Sequence, residues 1–287
     1  MSRVDVRKTH KLFIGGAFPR SESGRTYEVT DSKEQFLANM ALASRKDARD
    51  AVLAARSAVA KWSAATAYNR GQVLYRIAEV MEGRREQFIS EVSDSEGVSS
   101  RKAGAHVDAA IDRWVWYAGW ADKYAQVIGN TNPVAGPFFN FSVPEPTGVV
   151  AAVAPQDASI SGLVSVVAPI IVTGNAVIVM PSSSRPIPAI TLAECLATSD
   201  VPAGVVNILT GAPAEVMPWL AEHADVNALD LTGIVDEAVA ADLERSAAGT
   251  VKRVRGAAPH ADWQATPSLS RMRAFVEVKT VWHPMGV

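Results

Sequence analysis

The chain has 287 residues, 48% of them hydrophobic, with 19 glycines and 16 prolines, so it is long and apolar enough to bury a substantial core. A formal net charge of -2 disfavours nucleic acid or an anionic membrane as the main partner. A single cysteine excludes an internal disulfide framework and fits a reducing compartment.

The opening MSRVDVRKTHKLF has no continuous apolar core and no small-residue cleavage site, so no secretory signal is expected and a cytoplasmic location is. The N-terminal part reads as helical. Ala48, Val52, Ala55 and Val59 recur at helical spacing, up to Lys61 and Trp62. A second helix is expected over 70–92, with Leu74, Ile77, Met81 and Phe88 inward. A third is expected over 102–127. Its stripe of Ile111, Val115, Ala118 and Ala121 is flanked by Trp114, Trp116, Tyr117 and Trp120. An aromatic cluster at helical spacing reads as core, and it is given no cofactor role.

A loop at 129–133 changes the texture. Phe139, Phe141 and Val143 then alternate with Asn140 and Ser142, as in a half-buried strand that Pro144 and Pro146 should break. From Gly148 onward, apolar strands at 149–153, 176–180, 205–209 and 228–231 alternate with helices over 161–172, 188–198, 214–222 and 236–247. This predicts an α/β fold, a Rossmann-like doubly wound parallel sheet with helices on both faces. A fifth strand is expected within 251–255. The most apolar stretch, 160–180, is interrupted by Pro169, Gly174 and Asn175, and reads as a buried helix and strand instead of a membrane span. Residues 256–268 have no period and read as a linker. After a short helix near 269–275, Val276, Val278, Thr280 and Trp282 alternate with Glu277 and Lys279 in a second amphipathic strand that Pro284 ends.

Several segments together resemble the aldehyde dehydrogenase superfamily. RDAVLAARSAVAKWS followed by NRGQVLYRIAEVMEGRREQF is similar to its N-terminal helix pair, and VPEPTGVVAAVAP to its entry into the cofactor domain. GNAVIVMPSS with PIPA, VPAGVVNILTG and ADVNALDLTG follow in the family's order, and MRAFVEVKTVWHP is similar to its C-terminal tail. The resemblance implies a dinucleotide-binding domain in two pieces, 1–137 and 148–256, and an oligomerisation arm made of 138–147 and 269–287. It also implies a complete catalytic domain between the last cofactor-domain strand and the tail. Only 257–268 stands there, and a domain needs on the order of 100 residues, so the catalytic domain is expected to be absent.

The resemblance also says which chemistry to look for. Family-type aldehyde oxidation needs a thiolate that forms a hemithioacetal and then yields hydride to the nicotinamide. The sole cysteine, Cys195, lies in the helical AITLAECLAT with no His or Arg nearby in sequence, and reads as a small buried hydrophobe. The oxyanion asparagine of the family falls on Asp157, an acceptor-only carboxylate that would repel a developing oxyanion. The general-base glutamate falls on Arg253. The lysine and glutamate that hold the ribose fall on Met180 and Ser183, and a pyrophosphate-contacting serine after Thr232-Gly233 falls on Ile234. His10, His106, His223, His260 and His283 are scattered without metal-ligand spacing. Arg84-Arg85 and the Lys252-Arg253-Arg255 run read as solvated surface.

No catalytic, cofactor-binding or metal-ligating set is therefore assigned. The amides at the next helix's N-terminus leave only weak NAD or NADP binding open. The resemblance points instead to a non-catalytic subunit that pairs with a full-length aldehyde dehydrogenase, similar to the degenerate second half of aldehyde dehydrogenase family 16. An exposed amphipathic strand needs a cover, which a partner supplies by β-augmentation. Three alternatives stand beside this one. The two arm strands pair with each other; the chain forms a homodimer through reciprocal arms; or it acts alone as a dinucleotide binder or residual oxidoreductase.

Overall fold

In the computed structural model, which describes residues 7–258 and 261–286, the chain opens on β-structure that the sequence reading does not anticipate. Strands β1 (Thr9–His10), β2 (Thr26–Thr30) and β3 (Phe36–Ala41) form a sheet of order β1-β3-β2. The signal was faint because only Val29 of β2 is buried. Tertiary contact makes up for it, with Phe13 and Ile208 exchanging backbone hydrogen bonds and Ala43 N–H donating to the Thr210 carbonyl.

Helix α1 (Arg45–Ala64) begins in a capping box in which the Ser44 hydroxyl and Asp47 carboxylate satisfy each other's backbone amides. The expected second helix is two. α2 (Ala67–Gly83) and α3 (Arg85–Glu96) part at Arg84, whose φ of -116° and ψ of 16° are not helical. The break follows Gly83, a poor helix former, and α3 then packs against both α4 and α7. The third helix also divides, into α4 (Ser100–Trp120) and α5 (Tyr124–Ile128). Its buried face runs through Val107, Ile111, Trp114 and Tyr117, whereas Val115, expected inward, is 40% exposed.

Strands β4 (Asn130–Thr131) and β5 (Phe138–Pro146) follow. β5 does not stop at its prolines. β4 covers only Phe141 and Ser142 on one side, so beyond them that side needs no amide donor. The Pro144 ring occupies it, packed toward Gly129.

The parallel sheet is built from β6 (Val149–Val153), β7 (Ala176–Met180), β8 (Val206–Ile208), β9 (Ala228–Asp230) and β10 (Arg253–Arg255), in the order β10-β9-β6-β7-β8. The connecting helices are α6 (Ser161–Val172), α7 (Ile187–Ala197), α8 (Pro213–Glu222) and α9 (Glu237–Ala248). One face of the sheet packs on α2, α3, α4, α6 and α7, and the other on α1, α8 and α9. This is the expected doubly wound α/β architecture. Every residue of α6 is buried, as suits a helix enclosed by the sheet, α2, α4 and α10 (Ser270–Arg273).

The two arm strands pair with each other, one of the arrangements that the sequence leaves open. β11 (Val276–Pro284) runs antiparallel to β5, from Val276 opposite Pro146 to Pro284 opposite Phe138. In the order β11-β5-β4, the outer edge of β11 has no strand beside it among the described residues. Ahead of α10, Trp263 and Ala265 are pinned: Arg113 Nη2 donates to their carbonyls at 2.5 and 2.9 Å. Pro259 and His260 lie outside the described residues. Among the described residues no helix is long and apolar enough to cross a membrane, and no cluster of His, Cys, Asp and Glu has metal-ligand geometry.

Candidate functional site

The connection from β6 runs one way to β7 and β8, while β9 and β10 lie on its other side. In such a sheet the crevice at the carboxyl ends of the two strands flanking the reversal is the natural ligand position. Here that is the end of β6, leading into Pro155-Gln156-Asp157, and the end of β9, leading into Leu231-Thr232-Gly233.

The crevice is narrow. Gly233 N–H donates to the Val153 carbonyl at 2.9 Å, and a Cβ at Gly233 would lie 1.9 Å from the Ala154 oxygen. Ile234 is buried in the core beside Leu231. The loops after β6 and β7 are tied together. Gln156 Oε1 accepts from the Ser183 amide at 3.0 Å and the Ser183 hydroxyl at 3.1 Å, and the Ser182 hydroxyl donates to the Gln156 carbonyl at 2.7 Å. Met180 is fully buried. Asp157 is exposed, and its backbone carbonyl accepts from Arg185.

Two helix N-termini face this end of the sheet, and each already has an acidic side chain near it. At α9 the Asp236 carboxylate accepts from the Ala238 and Val239 amides at 2.8 and 3.3 Å. The amides through which the sequence leaves weak dinucleotide binding open thus already have a side-chain acceptor. Ahead of α6, Glu96 Oε1 accepts from both the amide and hydroxyl of Ser159, at 2.8 and 2.7 Å, while its Oε2 lies 2.8 Å from His106 Nδ1. Burial alone would raise the Glu96 carboxyl, but the bonds from His106 and Ser159 outweigh it and hold the group below its usual range.

Cys195 is fully buried on α7. Contrary to the sequence expectation, an arginine is near: Arg84 Nη1 lies 4.0 Å from Sγ, and Arg84 also pairs with Glu194 at 2.5 Å. Burial nevertheless dominates and pushes the thiol up to about 11, against the pull of the Arg84 cation. Arg253 leaves the crevice altogether and pairs with Glu277 of the arm. The structure thus places Asp157 and Ser183 on two loops tied together, Met180 and Ile234 in one core cluster, and Cys195 and Arg253 on α7 and β10.

Sequence reading missed the most buried ion pair here. Asp230, fully buried at the end of β9, accepts from the Thr232 amide at 3.0 Å and lies 3.2 Å from Arg271 Nη1. Arg271 in turn sits over the Trp263 ring at 5.1 Å. No local spacing reveals this pairing, because its members come from β9, the linker and α10.

The sequence profile of the aldehyde dehydrogenase family matches residues 18–256. The chain belongs to the aldehyde dehydrogenase family. It is 32% identical over 263 residues to the cytosolic 10-formyltetrahydrofolate dehydrogenase of Xenopus tropicalis, across 88% of this chain and 29% of that one. It is 29% identical to the putative aldehyde dehydrogenase DhaS of Bacillus subtilis (strain 168), across 87% of this chain and 50% of that one. Among solved structures, the NAD+ complex of an aldehyde dehydrogenase from Bacillus cereus superposes with a TM-score of 0.81 at 27% identity, covering 86% of this chain and 50% of that one. A putative aldehyde dehydrogenase from Burkholderia cenocepacia matches equally well, with a TM-score of 0.81 at 30% identity over 86% of this chain and 50% of that one. This aldehyde dehydrogenase family member therefore spans about half the length, or less, of these relatives.

Proposed function

We propose that this aldehyde dehydrogenase family member is a non-catalytic subunit that assembles with a full-length NAD(P)-dependent aldehyde dehydrogenase and stabilises or regulates it. In this reading 1–137 and 148–256 form a degenerate dinucleotide-binding domain, 138–147 and 269–287 the assembly arm, and 257–268 stands in place of a catalytic domain. The observation that carries the reading is the unaccompanied edge of β11, a nine-residue strand with Val278 54% and Trp282 57% exposed. Such an edge is a template for another strand unless a partner covers it. Co-expression with a full-length aldehyde dehydrogenase tests this by size-exclusion chromatography. One co-eluting complex is expected, lost on Trp282→Ala with Val278→Lys. Separate peaks at micromolar concentration, or a homodimer that ignores the enzyme, overturn it.

The residues at the crevice do not fit a tightly held dinucleotide. Ser183 is turned to Gln156, Ile234 is buried where a polar contact is required, and Asp236 already occupies the α9 amides. We derive no hydride-transfer step from them. A second reading, a free-standing dinucleotide binder, is favoured by one observation: the fold shared with the Bacillus cereus NAD+ complex over 86% of this chain. Isothermal titration with NAD+ separates the two, since saturable heat supports the binder and its absence at millimolar NAD+ removes it.

A further inference from the structure

A cavity of about 160 Å³ lies between α4, the end of β10, α10 and the described residues 261–268 ahead of α10. Arg113, Arg255, Arg271, Tyr117, Trp263 and Ser270 are among its lining residues. Three guanidinium groups thus reach one space from three separate elements.

Their hydrogen bonding is incomplete. Arg113 is only 5% exposed. One of its terminal nitrogens holds the Trp263 and Ala265 carbonyls, but its Nε is buried with no partner among the described residues. Arg271, 9% exposed, is committed to Asp230 and to the Thr232 hydroxyl, at 3.2 and 3.3 Å. Arg255 Nε and Trp263 Nε1 are likewise buried and without a partner among the described residues. Buried donors are nearly always satisfied, so each of these calls for an acceptor.

The charges are also unbalanced. Asp230 is the buried carboxylate of the group, and Asp262 faces solvent at the rim, opposite Arg113. Three cations against these two, one of them solvated, leave the cavity positive. Burial lowers the affinity of the Arg271 guanidinium for its proton, and Arg255 and Arg113 add to that, yet arginine stays charged in proteins. The space suffices, since one water needs roughly 10–15 Å³.

We propose that this cavity is a binding site for a phosphate-class oxyanion, held by Arg113, Arg255 and Arg271. A carboxylate has two oxygens and is matched by the fork of a single arginine. A group with three or more acceptor oxygens suits donors that arrive from α4, β10 and the linker at once. Trp263, Tyr117 and Ser270 are also part of the lining. The site is independent of the crevice between β6 and β9 and of the subunit reading.

The test uses the full chain in chloride buffer, with inorganic phosphate and glycerol 3-phosphate as separate probes of free phosphate and of a phosphomonoester. Arg255 is the residue to replace, because its buried Nε has no partner among the described residues and it takes no part in the Asp230–Arg271 pair or in the bonds of Arg113. Saturable heat with at least one probe is expected, with a rise in Tm that equal ionic strength of potassium chloride does not reproduce. Arg255→Gln is expected to weaken that binding by roughly tenfold or more, the usual consequence of losing a charged hydrogen bond. The tighter probe identifies the source of the phosphate. No saturable heat with either probe at millimolar concentration overturns the proposal, and so does an Arg255→Gln chain that melts like wild type and binds as tightly.

Discussion

Arg253 Nη2 lies 2.7 Å from Glu277 Oε2, joining the last strand of the parallel sheet to the base of the arm. Glu277 sits directly opposite Glu145 in the register, a like-charge pair that destabilises a sheet unless it is neutralised. Arg253 neutralises one carboxylate, and Lys279 Nζ, 3.2 Å from Glu145 Oε1, neutralises the other. Both pairs are about half exposed, so Arg253→Ala is expected to cost less than about 1 kcal/mol globally. The local effect is larger in kind: β11 amides should exchange faster in the variant while those of β6 do not. Unchanged protection across β11 would show that the pair does not hold the arm.

Asp230→Ala is the opposite case. It leaves Arg271 buried without its counterion, beside Arg113 and Arg255, and breaking such a pair costs about 3–5 kcal/mol. Urea unfolding is the measurement. A midpoint close to that of wild type would mean that water reaches Arg271 and replaces the carboxylate.

Gly233 and Gly83 give a contrast in steric room. A Cβ at Gly233 collides with the Ala154 backbone, whereas one at Gly83 meets nothing within 4 Å. Gly233→Ala should destabilise by about 1–3 kcal/mol or more through overpacking. Gly83→Ala should stabilise by up to about 1 kcal/mol, because alanine is the better helix former. Thermal melts of the two variants should therefore move in opposite directions.

Acid should lower the stability of the chain over two pH windows. Burial, with Lys8 nearby, lowers His10 from 6.5 to about 4, so the folded state holds it neutral. A depressed pKa contributes stability above the unfolded value, and this contribution is lost as pH falls from 6.5 toward 4. Glu96, also depressed, keeps its contribution above its ordinary 4.5 and loses it below. His10→Gln should flatten the upper part of a Tm–pH curve, and Glu96→Gln the lower part.

The Cys195 thiol should resist alkylation. At about 11 it carries little thiolate near neutral pH, and it is enclosed by α7 and its neighbours. Iodoacetamide at pH 8 should label it only after denaturant is added; rapid labelling of the folded chain would show that α7 opens.

The alternation of apolar strands and helices after Gly148 was legible because each element carries its own signal. The bounds of β6, β7 and α6 coincide with the reading. The arm strands were legible too, through the alternation of Val276, Val278 and Trp282. What was not legible depends on contacts between distant segments. The first sheet rests on Phe13 meeting Ile208, and the split at Arg84 on α3 meeting α7. Arg255 read as a surface cation because sequence shows its neighbours in the run, not Trp263 and Arg271 across the cavity. At the crevice, the unusual residues at 157, 183 and 234 were visible, but not the hydrogen bonds by which Gln156 takes the Ser183 amide and Asp236 those of Ala238 and Val239.

The pairing of β5 with β11 sets an order of events during synthesis. Phe138–Pro146 leaves the ribosome well before its partner, and the helices and parallel sheet are made in between. Until Val276–Pro284 emerges, β5 has only the two-residue β4 beside it and shows Phe138 and Phe139 to solvent. The arm is thus completed only after the parallel sheet, and any chaperone that guards the nascent chain has β5 to cover throughout that interval.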